Sequence, residues 1–393
     1  LVFLFLSYEY KDNDVPPYAV NVFLRRDPLV AGAAVLSGRA LIGLVWPALI
    51  VVGLTILLGR FFCGWFCPMG AVLDAAGATV FRSRPPGRVV PAAWRRVKFL
   101  VLFFLAASSL FTLQWVFLFD PISILIRTFT VSVYPALNLA VRGGFDALYR
   151  LGIGPVTGLS EPAYDFLKAH FLAFEQPVFR TAAFVGFLFL GILAAEGYQK
   201  RFWCRNLCPL GALLALLGRF GLFRRRVRAD GCTRCGLCEE NCRMGSIEKN
   251  VTVTDHGECV GCMDCQAVCP EEVVLFSGTE GRRSAAVDLT RRGVLASAAL
   301  GAVTVPFFRS DAHGKTPHPG RIRPPGALAE GEFLARCTRC GECMRVCIAN
   351  GLQPTWFEAG LEGLWSPILV PRIGYCEYNC TLCGQGCPTG AIR

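Results

Sequence analysis

The sequence predicts an α-helical membrane domain of about four to five transmembrane helices, joined to two small cysteine-rich α+β modules. Three observations support this fold class. The 393 residues are 53% hydrophobic, with a mean hydropathy of +0.45, which is more apolar than an ordinary soluble enzyme. Uncharged stretches long enough to cross a bilayer lie in the first half of the chain. Twenty cysteines recur at fixed spacings, most of them in the second half.

The uncharged stretches define the predicted transmembrane helices. Residues 40–59 and 99–119 carry no charged side chain, and each matches the roughly 20 residues that a helix needs to cross the hydrocarbon core. Residues 181–195 form a shorter span, whose flanking charged side chains can reach the membrane surface. Residues 1–6 are predicted to be the end of a first helix. Residues 121–141 are predicted to lie along the outer membrane surface as an amphipathic helix.

The positions of the charges predict orientation and exclude one class of partner. The formal net charge is +11, and the basic residues are concentrated in residues 82–98 and 200–228, whereas residues 120–180 are balanced. By the positive-inside rule the two basic regions are cytoplasmic and the balanced region lies outside. Basic runs beside a membrane helix usually face anionic lipid. Membrane lipid is therefore a predicted partner, and nucleic acid is not.

The cysteine spacing CxxCxxCxxxC occurs three times, and a wider form occurs a fourth time. Three thiolates of such a motif wrap one cubane, while the fourth ligates the other cluster of a pair. Structural zinc and a disulfide framework suit this dense spacing less well. The sequence therefore predicts two bacterial-type 2[4Fe-4S] ferredoxin modules with four clusters. The ligand sets are Cys232, Cys235, Cys238 with Cys269; Cys259, Cys262, Cys265 with Cys242; Cys337, Cys340, Cys343 with Cys387; and Cys376, Cys380, Cys383 with Cys347.

The four remaining cysteines belong to an internal repeat of the motif CxxxCP. Cys63 and Cys67 precede Pro68, and Cys204 and Cys208 precede Pro209. Proline is favoured at the first position of a helix, so the second cysteine of each motif is predicted at a helix N-terminus, where the dipole favours a thiolate. We expect the two motifs to meet and to hold a fifth [4Fe-4S] cluster. A redox-active dithiol in each motif, or packing of reduced thiols, are the alternatives.

These motifs resemble the NapH and NosR type of membrane ferredoxin and the related RdxA/CcoG proteins over about residues 1–280. From Arg291 onward, the chain resembles a NapG-type periplasmic ferredoxin. The resemblance implies an electron-transfer subunit of the quinol dehydrogenase type, in the bacterial inner membrane. Such a subunit connects the quinone pool with a periplasmic reductase or a multihaem cytochrome, within a hetero-oligomeric complex used in anaerobic respiration. The RdxA/CcoG likeness implies an alternative, an assembly factor that reduces a metal or a thiol for oxidase maturation.

The predicted domains follow from these assignments. Residues 1–228 form the membrane domain, 229–280 a cytoplasmic ferredoxin module, 281–330 a connecting segment, and 331–393 a second, periplasmic ferredoxin module. In the connecting segment, Arg291 and Arg292 precede an uncharged stretch from 293 to 308 that looks like a twin-arginine export signal. That stretch is predicted to be a fifth membrane helix, with a buried core helix as the alternative.

No catalytic residues are predicted, because no set of acid, base and nucleophile is evident in the sequence. The four histidines are scattered and no CxxCH occurs, so the sequence predicts no covalently bound c-type haem. Asp120 and Glu196 are minor candidates for proton exchange with a quinol, because carboxylates at the membrane edge are often functional.

Overall fold

The structure is a computed structural model that describes residues 21–81, 91–150, 154–173, 175–248, 250–278, 289–309 and 321–393. The expected end of a first helix at residues 1–6 lies outside these ranges. Helices α1 to α12 precede the first strand of the described chain. They are α1 Val22–Arg25, α2 Pro28–Gly38, α3 Ala48–Leu58, α4 Phe61–Trp65, α5 Pro68–Thr79, α6 Val97–Leu110, α7 Pro121–Thr128, α8 Tyr134–Arg150, α9 Gly154–His170, α10 Ala182–Ala195, α11 Phe202–Asn206 and α12 Pro209–Gly218.

The remaining elements are shorter and belong mostly to the cysteine-rich modules. Strands β1 Arg224–Val227 and β2 Val274–Ser277 pair antiparallel, with Arg224 opposite Ser277. Strands β3 Leu352–Pro354 and β4 Pro367–Leu369 form a second antiparallel pair. The helices are α13 Leu237–Glu240, α14 Asp264–Ala267, α15 Arg291–Arg309, α16 Glu330–Arg336, α17 Glu342–Arg345 and α18 Leu382–Gln385.

Aspartate followed by proline begins two helices of the bundle. Asp27 caps α2, where its Oδ1 accepts from the backbone nitrogens of Leu29 and Val30 at 2.8 and 3.2 Å. Asp120 caps α7 in the same way and accepts from the nitrogen of Ser123 at 2.7 Å. A capping carboxylate satisfies the free N–H groups of the first turn, and proline at the next position has no N–H that needs an acceptor.

The uncharged stretch from 99 to 119 does not form one helix. Helix α6 ends at Leu110, and Thr112 adopts a positive φ of 65° before a 3-10 turn at Val116–Leu118. The hydroxyl of Ser108 donates to the carbonyl of Leu105, a local bond that competes with continued helix formation. Hydropathy alone does not reveal this break.

One helix in the described ranges is long and apolar enough to cross a membrane, the continuous segment of residues 121–150, in which a π-helical turn at Phe129–Val133 joins α7 to α8. A mostly buried core helix of a soluble protein can pass the same test. In the segment 121–150, 56% of the most apolar window is buried. The other apolar helices have 10 to 17 residues. The number of four to five transmembrane helices stays a prediction.

Helix α15 packs lengthwise along α6 and runs in the same direction. Gly301 permits the close approach, because a Cβ atom there would lie 2.5 Å from the carbonyl oxygen of Phe104. Farther along, the rings of Phe308 and Trp115 have centroids 4.3 Å apart, and Arg309 donates to Thr112 just beyond the end of α6. Helix α15 of the connecting segment thus runs along the bundle beside α6.

The two cysteine-rich modules contact opposite ends of α6. At its N-terminal end, Lys98 pairs with Glu258 of the first module at 2.5 Å. Beyond its C-terminal end, the carbonyl of Gln114 accepts from Arg339 of the second module. Because α6 has 14 residues, it separates these contacts by about 21 Å along its axis.

Candidate iron-sulfur centres

All twenty cysteines lie in the described part of the chain, and all are free. A disulfide framework is therefore not the arrangement adopted. The thiols are available as ligands, and thiolate is the form in which cysteine binds metals.

In the first module, two cavities are lined by different sets of four cysteines. Cys269 joins the motif that begins at Cys232, and Cys242 joins the motif that begins at Cys259. The first set is Cys232, Cys235, Cys238 and Cys269, and the second is Cys242, Cys259, Cys262 and Cys265. This exchange of the fourth cysteine is the pattern of two-cluster ferredoxins. Arg225 lines both cavities.

The second module has the same organisation with two further cavities. One is lined by Cys337, Cys340, Cys343 and Cys387, and the other by Cys347, Cys376, Cys380 and Cys383. The first of these sets is buried against the bundle, and Cys340 belongs to the same apolar core as Leu125 and Leu105. The second set is closer to solvent, with Cys376 exposed.

The backbone of three motifs explains how they can surround an anionic cluster. Left-handed residues occur on both sides of the second cysteine in each motif. They are Arg234 and Gly236, Gly261 and Met263, and Arg339 and Gly341. Alternating left- and right-handed backbone turns N–H groups toward one point, a nest that binds anions and many iron-sulfur centres. In the fourth motif, Tyr378 and its neighbours have no positive φ, so the inserted residue changes the turn.

The CxxxCP motifs meet in the core of the bundle. Cys67 and Cys208 are buried N-terminal residues of α5 and α12, and Cys208 Sγ accepts from the backbone nitrogen of Gly211 at 3.2 Å. The four thiols are close enough to interact electrostatically, Cys67 with Cys63 and Cys204, and Cys208 with the other three. The repeat therefore brings both halves of the predicted set together.

The donor chemistry of this set suits a cluster better than a single ion. Within the described ranges, no three His, Cys, Asp or Glu side chains are arranged to hold one metal ion. In a cubane each thiolate ligates a different iron, so the four sulfurs stand farther apart than around one ion. Two of the four thiols, Cys67 and Cys208, also lie at helix N-termini, whose dipole favours an anionic group, so the set fits a [4Fe-4S] group.

Two ion-pair networks, one buried and one partly exposed, connect this site with the first module. Arg60 and Lys98 both contact Oε2 of Glu258, at 2.8 and 2.5 Å. Burial alone would raise the pKa of Glu258, but the two cations outweigh it, and the pKa lies below its ordinary value. Such a carboxylate stays ionised and holds both cations in place.

The second network is centred on Asp74. Arg201 and Arg243 each approach Oδ2 of Asp74 at 2.6 Å, and Arg243 also pairs with Asp264 of the first module. Burial opposes ionisation, yet the arginines lower the pKa of Asp74 below its ordinary value. The two networks together attach the first module to the base of the bundle.

The first module also contacts the first CxxxCP motif directly. Gly64, between Cys63 and Cys67, lies against the backbone of Val260, and a Cβ atom there would overlap the Val260 carbonyl. Trp65 Nε1 donates to the carbonyl of Gly261 at 3.0 Å. Because Val260 and Gly261 lie between Cys259 and Cys262, two candidate cluster sites are in direct backbone contact.

The second module contacts the bundle through two buried arginines. Arg127 donates to the carbonyls of Phe117 and Arg339 and stacks over the ring of Trp365, 4.4 Å from its centroid. Arg339 stacks over Phe117 at 4.5 Å and donates to the carbonyl of Glu362 at 2.5 Å. Cation–π contacts of this kind are strongest when desolvated, so they stabilise this interface.

The residues around the CxxxCP set were missed at the level of the sequence, although a signal was present. The repeat extends three residues upstream, where Arg60 and Arg201 precede Cys63 and Cys204 at the same spacing. Of the minor candidates, Glu196 accepts from the backbone nitrogens of Arg201 and Phe202 at 2.7 and 3.2 Å.

Comparison with known proteins gives a consistent result. The 4Fe-4S binding domain family matches residues 39–88 and 181–229, and each match contains one CxxxCP motif. Protein NirI of Paracoccus denitrificans is 30% identical over 58% of this chain and 27% of NirI. The ferredoxin-type protein MauN of Methylorubrum extorquens is 27% identical over 55% of this chain and 59% of MauN. The regulatory protein NosR of Pseudomonas aeruginosa is 27% identical over 54% of this chain and 24% of NosR.

The chain thus spans less than two thirds of each of these three relatives, and only about a quarter of NirI and NosR. No solved structure matches it.

Proposed function

This chain is related to the NosR/NirI-type ferredoxin-like electron-transport proteins, and from that premise we propose that it carries electrons between the quinone pool and a periplasmic redox partner. Four [4Fe-4S] clusters would be held by the two modules, and a fifth by Cys63, Cys67, Cys204 and Cys208. Clusters of this kind transfer single electrons at potentials set by charge, burial and hydrogen bonds to sulfur.

The order of the cysteine sets is the observation that carries the proposal. In the first module, one set includes the exposed Cys235, and the set containing Cys259 touches the CxxxCP site. At the other end of α6, a buried set containing Cys340 faces the bundle, and the other set of the second module includes the exposed Cys376. One set with an exposed cysteine in each module, and less exposed sets near the bundle, suit electron entry at one end and exit at the other.

Surface chemistry supports a location in the bacterial inner membrane. Large apolar side chains on three different helices point outward, with Leu49 on α3, Phe187 on α10 and Val303 on α15 each 70 or 71% exposed. Large exposed apolar patches usually mark contact with lipid or a partner, and we propose that these side chains belong to a lipid-facing surface. The first module, which adjoins the basic segments, would be cytoplasmic, and the second would be periplasmic.

Anaerobic purification with iron and sulfide counting tests the cofactor content. Five clusters correspond to about 20 iron atoms per chain and four clusters to about 16. Exchange of both Cys63 and Cys204 for alanine should remove about four iron atoms. A count unchanged by this double exchange would contradict the fifth cluster.

Reduction of the clusters by a short-chain quinol tests whether the protein accepts electrons from the quinone pool. We expect the quinol to reduce the clusters of the purified protein, as followed by EPR, and copurification in mild detergent to recover a haem or molybdenum subunit. Clusters that the quinol does not reduce, but that transfer electrons to Cu²⁺ or to a thiol, would support the assembly-factor function instead.

A further inference from the structure

Two arginines occupy equivalent positions in the two CxxxCP repeats, and each extends its side chain toward the other repeat. Arg60 and Arg201 each lie three residues before the first cysteine of their motif, and they are only 1% and 2% exposed. Buried arginine is costly unless its charge is compensated. Because both arginines are buried at matching positions beside the four thiols, we infer that they have the same role.

Each guanidinium reaches the turn of the opposite repeat. Nη2 of Arg60 lies 2.8 Å from the position that a Cβ atom on Gly211 would occupy, and Nη2 of Arg201 lies 3.3 Å from the same position on Gly70. These glycines stand three residues after Cys208 and Cys67. A side chain at Gly211 would displace Arg60, and one at Gly70 would crowd Arg201, so the small residues leave room for both arginines.

The arginines face the thiols on one side and a carboxylate on the other. Arg60 interacts electrostatically with Cys63, Cys204 and Cys208, and Arg201 interacts with Cys204 and Cys67 while donating to the carbonyl of Cys63 at 3.1 Å. The carboxylates of Glu258 and Asp74 hold the opposite sides. Nε of Arg60 is buried and makes no hydrogen bond within the described structure, so this guanidinium keeps one free donor.

We propose that Arg60 and Arg201 are positioning residues that raise the reduction potential of the cluster on Cys63, Cys67, Cys204 and Cys208, each acting from the repeat opposite its own. The inference rests on the proposed fifth cluster. Reduction adds one electron and no proton to that cluster, so its charge becomes more negative by one. A fixed cation in a buried site stabilises the reduced form more than the oxidised form.

The carboxylates allow a test in which the reduction potential shifts in the opposite direction. Asp74 partly offsets the charge of Arg201, so its neutralisation should leave more positive charge facing the cluster. Exchange of an arginine for glutamine should therefore lower the potential, and Asp74→Asn should raise it. A residue that served only to hold the fold together would not produce opposite shifts.

The test is a redox titration followed by EPR on the full chain in detergent. The relevant signal is first assigned as the one that Cys204→Ala removes together with about four iron atoms. Its midpoint potential is then measured in Arg60→Gln, Arg201→Gln and Asp74→Asn. Arg225→Gln is the matched control, because Arg225 is a buried arginine that lines the two cavities of the first module, and it should shift the signals of that module without shifting the CxxxCP signal.

We expect lower potentials in both glutamine variants and a higher one in Asp74→Asn. An unchanged potential in Arg60→Gln and Arg201→Gln, with the signal intact, overturns the proposal. If a glutamine variant loses the cluster, Asp74→Asn decides, and an unchanged or lower potential there overturns it. If Cys204→Ala retains every signal and all its iron, the proposed fifth cluster itself is wrong, whatever the arginines do.

Discussion

The buried carboxyl groups of Asp27 and Asp120 lie close enough to interact, although each caps a different helix. One oxygen of each accepts backbone N–H groups of its own helix, and the other, Oδ2 of Asp27 or Oδ1 of Asp120, has no N–H or O–H donor in the described structure. Two buried carboxylates this close repel each other unless one of them holds a proton. We therefore expect the pair to hold the starts of α2 and α7 together through one shared proton.

The first prediction is that the proton, and not the negative charge, is what this contact needs. In Asp120→Asn the amide supplies the missing donor to Asp27 and its oxygen can still cap α7, so we expect a change in unfolding free energy of less than about 1 kcal/mol. Asp27→Ala removes the cap and leaves Asp120 unpaired, at a cost of about 1–3 kcal/mol. Thermal unfolding in detergent compares them, and equal losses would contradict the shared proton.

The second prediction concerns the exchanged ligands of the first module. Cys269→Ala should abolish the cluster of the motif that begins at Cys232, although Cys269 belongs to the later motif, and Cys242→Ala should abolish the other cluster. Each variant should lose about four iron atoms and a different EPR signal. Loss of the cluster of its own motif in either variant would contradict the exchange.

The third prediction tests the backbone contact at Gly64. Gly64→Ala introduces a Cβ atom where the carbonyl of Val260 lies, so the first module must shift away from the bundle. We expect full iron content but faster proteolytic separation of the module and slower electron transfer to the CxxxCP site. Gly53→Ala is the control, because Gly53 lies in α3 with no atom within 4 Å of the added carbon, and alanine favours helix. Equal behaviour of the two variants would argue against a direct contact.

The fourth prediction concerns Glu258, the single carboxylate that two buried cations share. Glu258→Gln leaves Arg60 and Lys98 without that charge, and removal of one partner from a buried pair costs about 3–5 kcal/mol. Glu332→Gln is the control, because it neutralises an exposed carboxylate that pairs with Arg336 four residues along α16, and helix pairs of this spacing contribute about 0.3–0.5 kcal/mol. Similar losses in the two variants, measured at equal iron content, would show that the buried network contributes little.

The sequence predicts the local features of this protein better than the long-range ones. The family-level resemblance is confirmed by the comparisons, and the cysteine spacing anticipates which four cysteines line each cavity, because the cysteines of each module lie within one short segment. The pairing of Asp27 with Asp120 and of Arg201 with Asp74 depends on how separate helices pack, which periodicity does not encode. The helix break at Thr112 is likewise not predicted, because hydropathy is averaged over residues and contains no information about backbone angles.

The last prediction concerns the side of the membrane on which each module lies. Helix α15 has 19 residues, about 28 Å of rise, and it follows α6 from the end near Lys98 to the end near Arg309. If this pair crosses the bilayer, a protease site inserted after Gly278 lies on the cytoplasmic side and one appended after Arg393 lies on the periplasmic side. In cells with a permeabilised outer membrane, added protease should cut only the second site, and lysis should expose the first. Cleavage of both sites before lysis, or of neither, would place the modules on one side and make α15 a core helix instead.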